Sequence, residues 1–170
     1  MKIYLIVFII ISCFKSCNGQ GPIYFQKALD LVSKDCKNIE ENMGVVRCDI
    51  KLSSMIIAIN ISPFHRLVDS LNLIDIRPNE NSFEAAIHFD LKYHNDSYEN
   101  AVLKMTEKNN NYNILLFCSD VYEGLMTCEA NESKYFDQKT SMNFGQSFLY
   151  LFKVKDSEIE LLNSVIINNN

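Results

Sequence analysis

The chain has 170 residues, 48% of them hydrophobic and 22% charged, with a formal net charge of -5 and no tryptophan. That length suits a single domain able to bury its own core. The acidic balance and the lack of a Lys/Arg cluster speak against nucleic acid as a partner, because a phosphate backbone would be repelled.

The opening stretch, "MKIYLIVFIIISCFKSCNGQ", places one lysine before an apolar run from Ile3 to Ile11 and then small and polar residues. The run is shorter than the ~20 apolar residues that a membrane-crossing helix needs. Its layout is that of a secretory signal peptide over residues 1–19, with cleavage between Gly19 and Gln20. The alternative is bacterial: Ile10-Ile11-Ser12-Cys13 looks like a lipobox, which would anchor the chain through an acylated Cys13. Export leaves residues 20–170 as one extracellular domain with no further membrane span. Losing Lys2 and Lys15 moves the formal charge from -5 to -7.

From Pro22 to about Asn38, Phe25, Ala28, Leu29, Val32 and Cys36 recur at helical spacing, and Pro22 suits a first turn. Gly44 breaks that pattern. Val46, Cys48, Ile50 and Leu52 then alternate with polar residues, which predicts a strand with one buried face. At Ser53-Ser54 the parity slips to Met55, Ile57, Ile59 and Ile61, so a bulge or tight hairpin is expected there. In "SPFHRLVDSL", Ser62 can cap, Pro63 can open, and Phe64, Leu67, Val68 and Leu71 follow at i, i+3, i+4 and i+7, which predicts a short amphipathic helix.

"SFEAAIHFDLKYH" (82–94) places Phe83, Ala85, Ile87, Phe89, Leu91 and Tyr93 at every second position. Strict alternation predicts a half-buried β-strand over 83–93. Further strands are expected around Ala101–Thr106, in a hairpin over 114–130, over Phe144–Val154, and from Ile159 to Ile167 after a turn at Asp156-Ser157. A polar connection is expected between Glu132 and Asn143. The plan is α+β: an N-terminal helix and a short second helix on one face of a curved antiparallel sheet of about six to seven strands.

Export would leave four cysteines, Cys36, Cys48, Cys118 and Cys128. An even count in a small exported domain predicts two disulfides, and spacing favours Cys118–Cys128 with Cys36–Cys48. Zinc is disfavoured because no C-x-x-C occurs, and no metal or cofactor is expected. Asn95-Asp-Ser97 and Asn131-Glu-Ser133 are glycosylation acceptors in a eukaryote, while Pro63 spoils Asn60-Ile-Ser62.

The order of elements, together with the closing stretch "FGQSFLYLFKVKDSEIELLNSVII", resembles the nuclear transport factor 2-like superfamily. The resemblance implies a cone-shaped sheet wrapping a helix and enclosing a pocket, whose enzymes carry acids or histidines on the concave face. The matching face here, Phe83 to Tyr93, holds none, which argues against carrying over an enzymatic role. A lipocalin-like barrel is the alternative fold, weakened by the missing tryptophan and by the helix after Ser62. A cystatin-like fold lacks its Q-x-V-x-G loop.

Motifs for hydrolase, metalloprotease, P-loop and dinucleotide chemistry are absent, and five glycines leave little material for phosphate-cradling loops. His88, Asp90 and His94 would share one strand face with Glu84 and Lys92, which is the make-up of a solvated face rather than of a metal or catalytic site. His65, beside Arg66, is expected to be exposed. The expected function is a secreted, non-enzymatic binding protein. Phe89, Tyr93, Gln146, Phe148 and Tyr150 would grip a small apolar molecule. The alternative is an extracellular modulator or inhibitor that docks on another protein through segments 94–100 and 131–143.

Overall fold

The computed structural model describes residues 23–96, 112–137, 142–143, 145–156 and 158–169. Its first helix, α1 (Ile23–Ser33), buries Phe25, Ala28 and Val32, spaced three and four residues apart as one helical face requires. A turn at Lys34-Asp35 separates it from α2 (Cys36–Met43), so the single helix expected to end near Asn38 is two. Gly44 closes α2 at φ 67°, and its N–H donates to the Glu40 carbonyl. A side chain there would meet no atom, so the requirement is conformational: the left-handed region that glycine enters freely.

The main sheet has the order β1-β2-β3-β6-β7. Its strands are β1 (Ile50–Ile56), β2 (Ile114–Cys118), β3 (Leu125–Glu132), β6 (Gly145–Lys155) and β7 (Glu158–Asn169). A separate two-stranded piece pairs β4 (Phe136–Asp137) with β5 (Met142–Asn143), within the stretch expected to be a plain polar connection. The hairpin and the closing strand pair fall where alternation places them. Among the described residues no β1–β7 pairing closes the sheet into a barrel.

The expected all-antiparallel order is corrected at one edge: β1 runs parallel to β2. Parallel neighbours require a crossover, and residues 57–113 supply it. The described part of that crossover begins with a 3-10 turn (Ser62–Phe64) running into α3 (His65–Ser70), as the Ser-Pro signal predicts, although Ser62 makes no side-chain capping bond. The parity slip at the serines is a register irregularity between Leu52 and Ile56 inside one strand, with no hairpin. Ile59 and Ile61, expected in a strand, lie beyond β1 and are buried in the next layer.

The largest correction concerns 83–93, which is not a strand. Ser82–Asp96 forms a 15-residue helix, α4. Asn81 Oδ1 accepts the Phe83 and Glu84 N–H groups at 3.1 and 3.0 Å, and Glu84 Oε2 accepts the Asn81 N–H at 3.2 Å. This reciprocal box satisfies helix-end donors that would otherwise lack partners. The strand expected around 101–106 lies outside the described residues.

Because neighbouring strand residues point to opposite faces, the sheet carries two cores. One joins Phe25, Ala28, Val32 and Ile39 of α1 and α2 to Met126, Cys128, Phe148, Tyr150 and Phe152. The other joins Ile59, Ile61, Phe64, Val68, Ala86, Phe89 and Tyr93 to Leu125, Leu149 and Leu151. Helices therefore cover both faces, not one. Both expected disulfides are present: Cys36–Cys48 ties α2 to the segment before β1, and Cys118–Cys128 joins directly opposed residues of β2 and β3.

A candidate binding cleft beside the long crossover helix

The five residues expected to line one apolar wall are not brought together. Phe89 and Tyr93 lie on α4 in the second core, and Phe148 and Tyr150 lie beneath α1 and α2 in the first. Gln146 is exposed near the start of β6. The sheet separates the two aromatic pairs, so no single ligand touches all of them without unfolding the core. Phe89 and Tyr93 instead meet Tyr122 edge-on, at ring-centroid distances of 5.2 and 5.4 Å.

The helix also redistributes the polar residues. A 3.6-residue period sends His88 to one flank and Asp90 and His94, four apart, to another. His88 pairs with Glu80 beside a charged cleft of about 370 Å³. Across that cleft Lys92 Nζ lies 2.7 Å from Glu123 Oε1. Glu80 is held below the usual carboxylate range by the Arg77 N–H it accepts and then by His88. His65 is half-buried rather than exposed, with Nδ1 3.1 Å from the Ser62 carbonyl and its ring edge-on to Phe83.

Asp90 and His94 enter a different cleft, about 460 Å³ in volume and open to solvent. Its apolar lining comes from Ile87 and Leu91 of α4, from Ile57, Ala58 and Ile59 after β1, and from Leu149 of β6. The polar groups are Asn60, Ser62, Asp90, His94 and Glu129. Carboxylates and an imidazole therefore border an apolar hollow, an arrangement that a strand over 83–93 would not allow. No motif marks them, because they come from a loop, a helix and a strand far apart in sequence.

Asp90 fastens the cleft's floor to α4. Its Oδ1 accepts the Ile61 N–H at 2.8 Å and its Oδ2 the Ser62 N–H at 3.1 Å. Burial pushes its carboxyl up to about 6, while the Ile61 and Ser62 N–H groups that it accepts pull it back. Serine, histidine and aspartate thus border one hollow, but without relay geometry. Ser62 Oγ donates to Asn60 Oδ1 at 2.9 Å, and Asp90 sits on the backbone of Ser62 itself. A triad needs the imidazole between hydroxyl and carboxylate. Among the described residues no group of three His, Cys, Asp or Glu side chains is placed to hold a metal ion.

The two sequons differ in setting. The backbone of Asn95 belongs to the last turn of α4, and Ser97 lies outside the described residues. Asn131 sits inside β3 at 1% exposure, with neither carboxamide atom hydrogen-bonded. A sugar on that nitrogen has no room unless the sheet opens.

No protein-family model, curated protein or solved structure matches this chain. Among the described residues no helix is long and apolar enough to cross a membrane.

Proposed function

We propose that this is a secreted, non-enzymatic binding protein whose ligand lodges in the cleft beside α4. The ligand class is a small molecule with an apolar body and a hydrogen-bond-donating or cationic end. One observation carries the reading: Ile87 and Leu91, which line the hollow together with Ile57 and Ala58, stay 36% and 54% exposed. Apolar walls held open to water gain free energy when a ligand covers them, at about 25 cal/mol per Å² of apolar area. Asp90 and Glu129 give the same hollow an acidic corner. The engagement of Ser62 with Asn60 supports binding over nucleophilic catalysis, and the paired cysteines suit an oxidising compartment.

Native mass spectrometry of protein from its own source, paired with the Leu91→Lys variant, tests the reading. The wild type should retain a small-molecule adduct and Leu91→Lys should lose it. A bare wild-type mass, or an adduct equally retained by the variant, rejects the cleft as the site.

A second reading, an extracellular modulator docking on another protein, is favoured by Phe83. Phe83, Ile87 and Leu91 follow at i, i+4 and i+8 along α4, and Phe83 is 48% exposed outside the cleft. Phe83→Lys separates the two readings: small-molecule binding survives it, and capture of a protein partner does not.

A further inference from the structure

We infer that β7 is a self-association edge, through which two copies of this chain join their sheets across a two-fold axis at Ile166. Strand β7 is the last in the sheet order, so its outer backbone groups face no described strand. It is also the longest strand described, at 12 residues. Edge strands invite another chain, and proteins normally blunt them with lysine, proline or short length. This edge carries no proline, lysine or arginine. Its apolar side chains are incompletely covered: Leu161, Leu162, Val165 and Ile167 are half-buried against the two cores, and Ile166 is 44% exposed.

Charge and register select the occupant and its direction. The charged residues of β7 are Glu158 and Glu160, both at its start, and Leu161 to Asn169 is uncharged. Parallel pairing of two copies would lay each acid beside its twin. Antiparallel pairing about Ile166 keeps the acids at opposite ends of the joined strands and overlaps only uncharged residues.

The ladder with β6 shifts register between Leu151 and Phe152, opposite Asn163 and Leu161, and runs regularly from Asn163 onward. A two-fold at Ile166 confines pairing to this regular part. Ile166 then meets its copy, Val165 meets Ile167 on the other face, and Ser164 meets Asn168. Directly opposed side chains of these kinds are the stabilising units of a sheet. The same surface serves both copies, so the assembly closes at two and leaves no β7 edge free.

Sedimentation equilibrium of the purified protein tests this directly. The wild type should show a concentration-dependent dimer. Ile166→Lys, which sets two ammonium groups face to face, should raise the dimer dissociation constant by about tenfold or more. Ile23→Lys, at an exposed apolar residue on α1, should leave it unchanged. Near-UV circular dichroism establishes that each variant is folded. Should Ile166→Lys fail to fold, Ile166→Cys gives a second reading. Residues opposed on antiparallel strands lie about 4.5–5.5 Å apart at Cα, within disulfide reach, so oxidation should trap a covalent dimer. A monomer at every concentration overturns the proposal. So does a dimer indifferent to Ile166→Lys, a failure to trap Ile166→Cys, or open-ended polymers that would mark β7 pairing with β1.

Discussion

The Tyr150 hydroxyl donates to Asp35 Oδ2 at 2.9 Å, joining the middle of β6 to the turn between α1 and α2 across 115 residues of sequence. Tyr150 is fully buried, stacked between Phe148 and Phe152, and its hydroxyl is the polar tip of an otherwise apolar row. Burial and then the Asp35 charge push its ionisation well above the ordinary phenol range, so it stays a donor at any ordinary pH. Removing a hydrogen bond to a charged acceptor costs about 1.5–3 kcal/mol. Tyr150→Phe should lose that much in urea unfolding while keeping the native circular dichroism. A loss within 0.5 kcal/mol, about the scatter of neutral surface changes, would mean that the bond adds nothing net.

Asp90 predicts a pH dependence with a definite sign. Its folded carboxyl is raised to about 6 from an ordinary value of 3.8, so between those values the folded state holds more proton than the unfolded. Stability from this site is therefore fully present at the acid end and falls as pH rises through the window. A carboxyl displaced that far is worth roughly 3 kcal/mol between its two protonation states. Asp90→Asn removes the titration, although it also replaces one acceptor oxygen. The stability difference between wild type and Asp90→Asn should shrink by about 2–3 kcal/mol from pH 4 to pH 7. Urea unfolding at half-unit intervals reads this, and a constant difference would show that Asp90 titrates normally.

The two bridges close loops of similar length, with separations of 12 and 10 residues, but in different settings. Loops of this size contribute about 3 kcal/mol by restricting the unfolded chain. Paired Cys36→Ala and Cys48→Ala substitutions should cost about that amount. Cys118 and Cys128 are also buried within the first core. Replacing them with alanine should cost more, because a cavity adds to the lost cross-link. Alkylation of the native protein should find no free thiol at these four positions. Equal losses from the two pairs would show that the core closes over the gap.

Helix α4 shows what the sequence makes legible and what it hides. Phe83, Ala85, Ile87, Phe89, Leu91 and Tyr93 alternate without a fault, yet the buried set is Ala85, Ala86, Phe89 and Tyr93, which follows the helical period. Apolar residues at every second place contain an i, i+4 subset, so alternation alone does not separate the two periods. The local chemistry does. "NSFE" is a capping box, and Glu84, Ala85, Ala86, Leu91 and Lys92 are helix formers. The hairpin and the closing strand pair are legible because turn residues separate their strands. Gly124 lies at φ 78° between β2 and β3, and Asp156 at φ 50° between β6 and β7. The cleft is hidden because tertiary structure assembles it: Asp90 reaches back 29 residues to the Ile61 amide, and Glu129 arrives on another strand.

The capping box itself is testable. Asn81→Ala removes the oxygen that accepts two N–H groups at the start of α4, where loss of such a cap costs about 1 kcal/mol. Because α4 carries Ile87, Asp90, Leu91 and His94 into the cleft, fraying its first turn should loosen the site as well. Hydrogen exchange should speed up at the amides of Phe83 and Glu84 while those of β3 stay protected. Uniform acceleration across the chain would place the effect in global stability instead.

Asn131 carries the last prediction, because its burial leaves an unmet demand that one substitution can remove. Both carboxamide atoms are buried without a hydrogen-bond partner, and unsatisfied buried groups cost about 1–3 kcal/mol each. Across the ladder it faces Leu115 on β2 and Ser147 on β6. Leucine is close in size and needs no partner, so Asn131→Leu should leave stability unchanged or raise it by about 1 kcal/mol. Asn131→Asp buries a charge in the same place and should destabilise by several times that amount. In a glycosylating host, peptide mapping should find Asn131 unmodified, since the sheet that hides its nitrogen cannot also expose a sugar. A glycan there, or a marked loss of stability in Asn131→Leu, would mean that β3 does not bury this side chain.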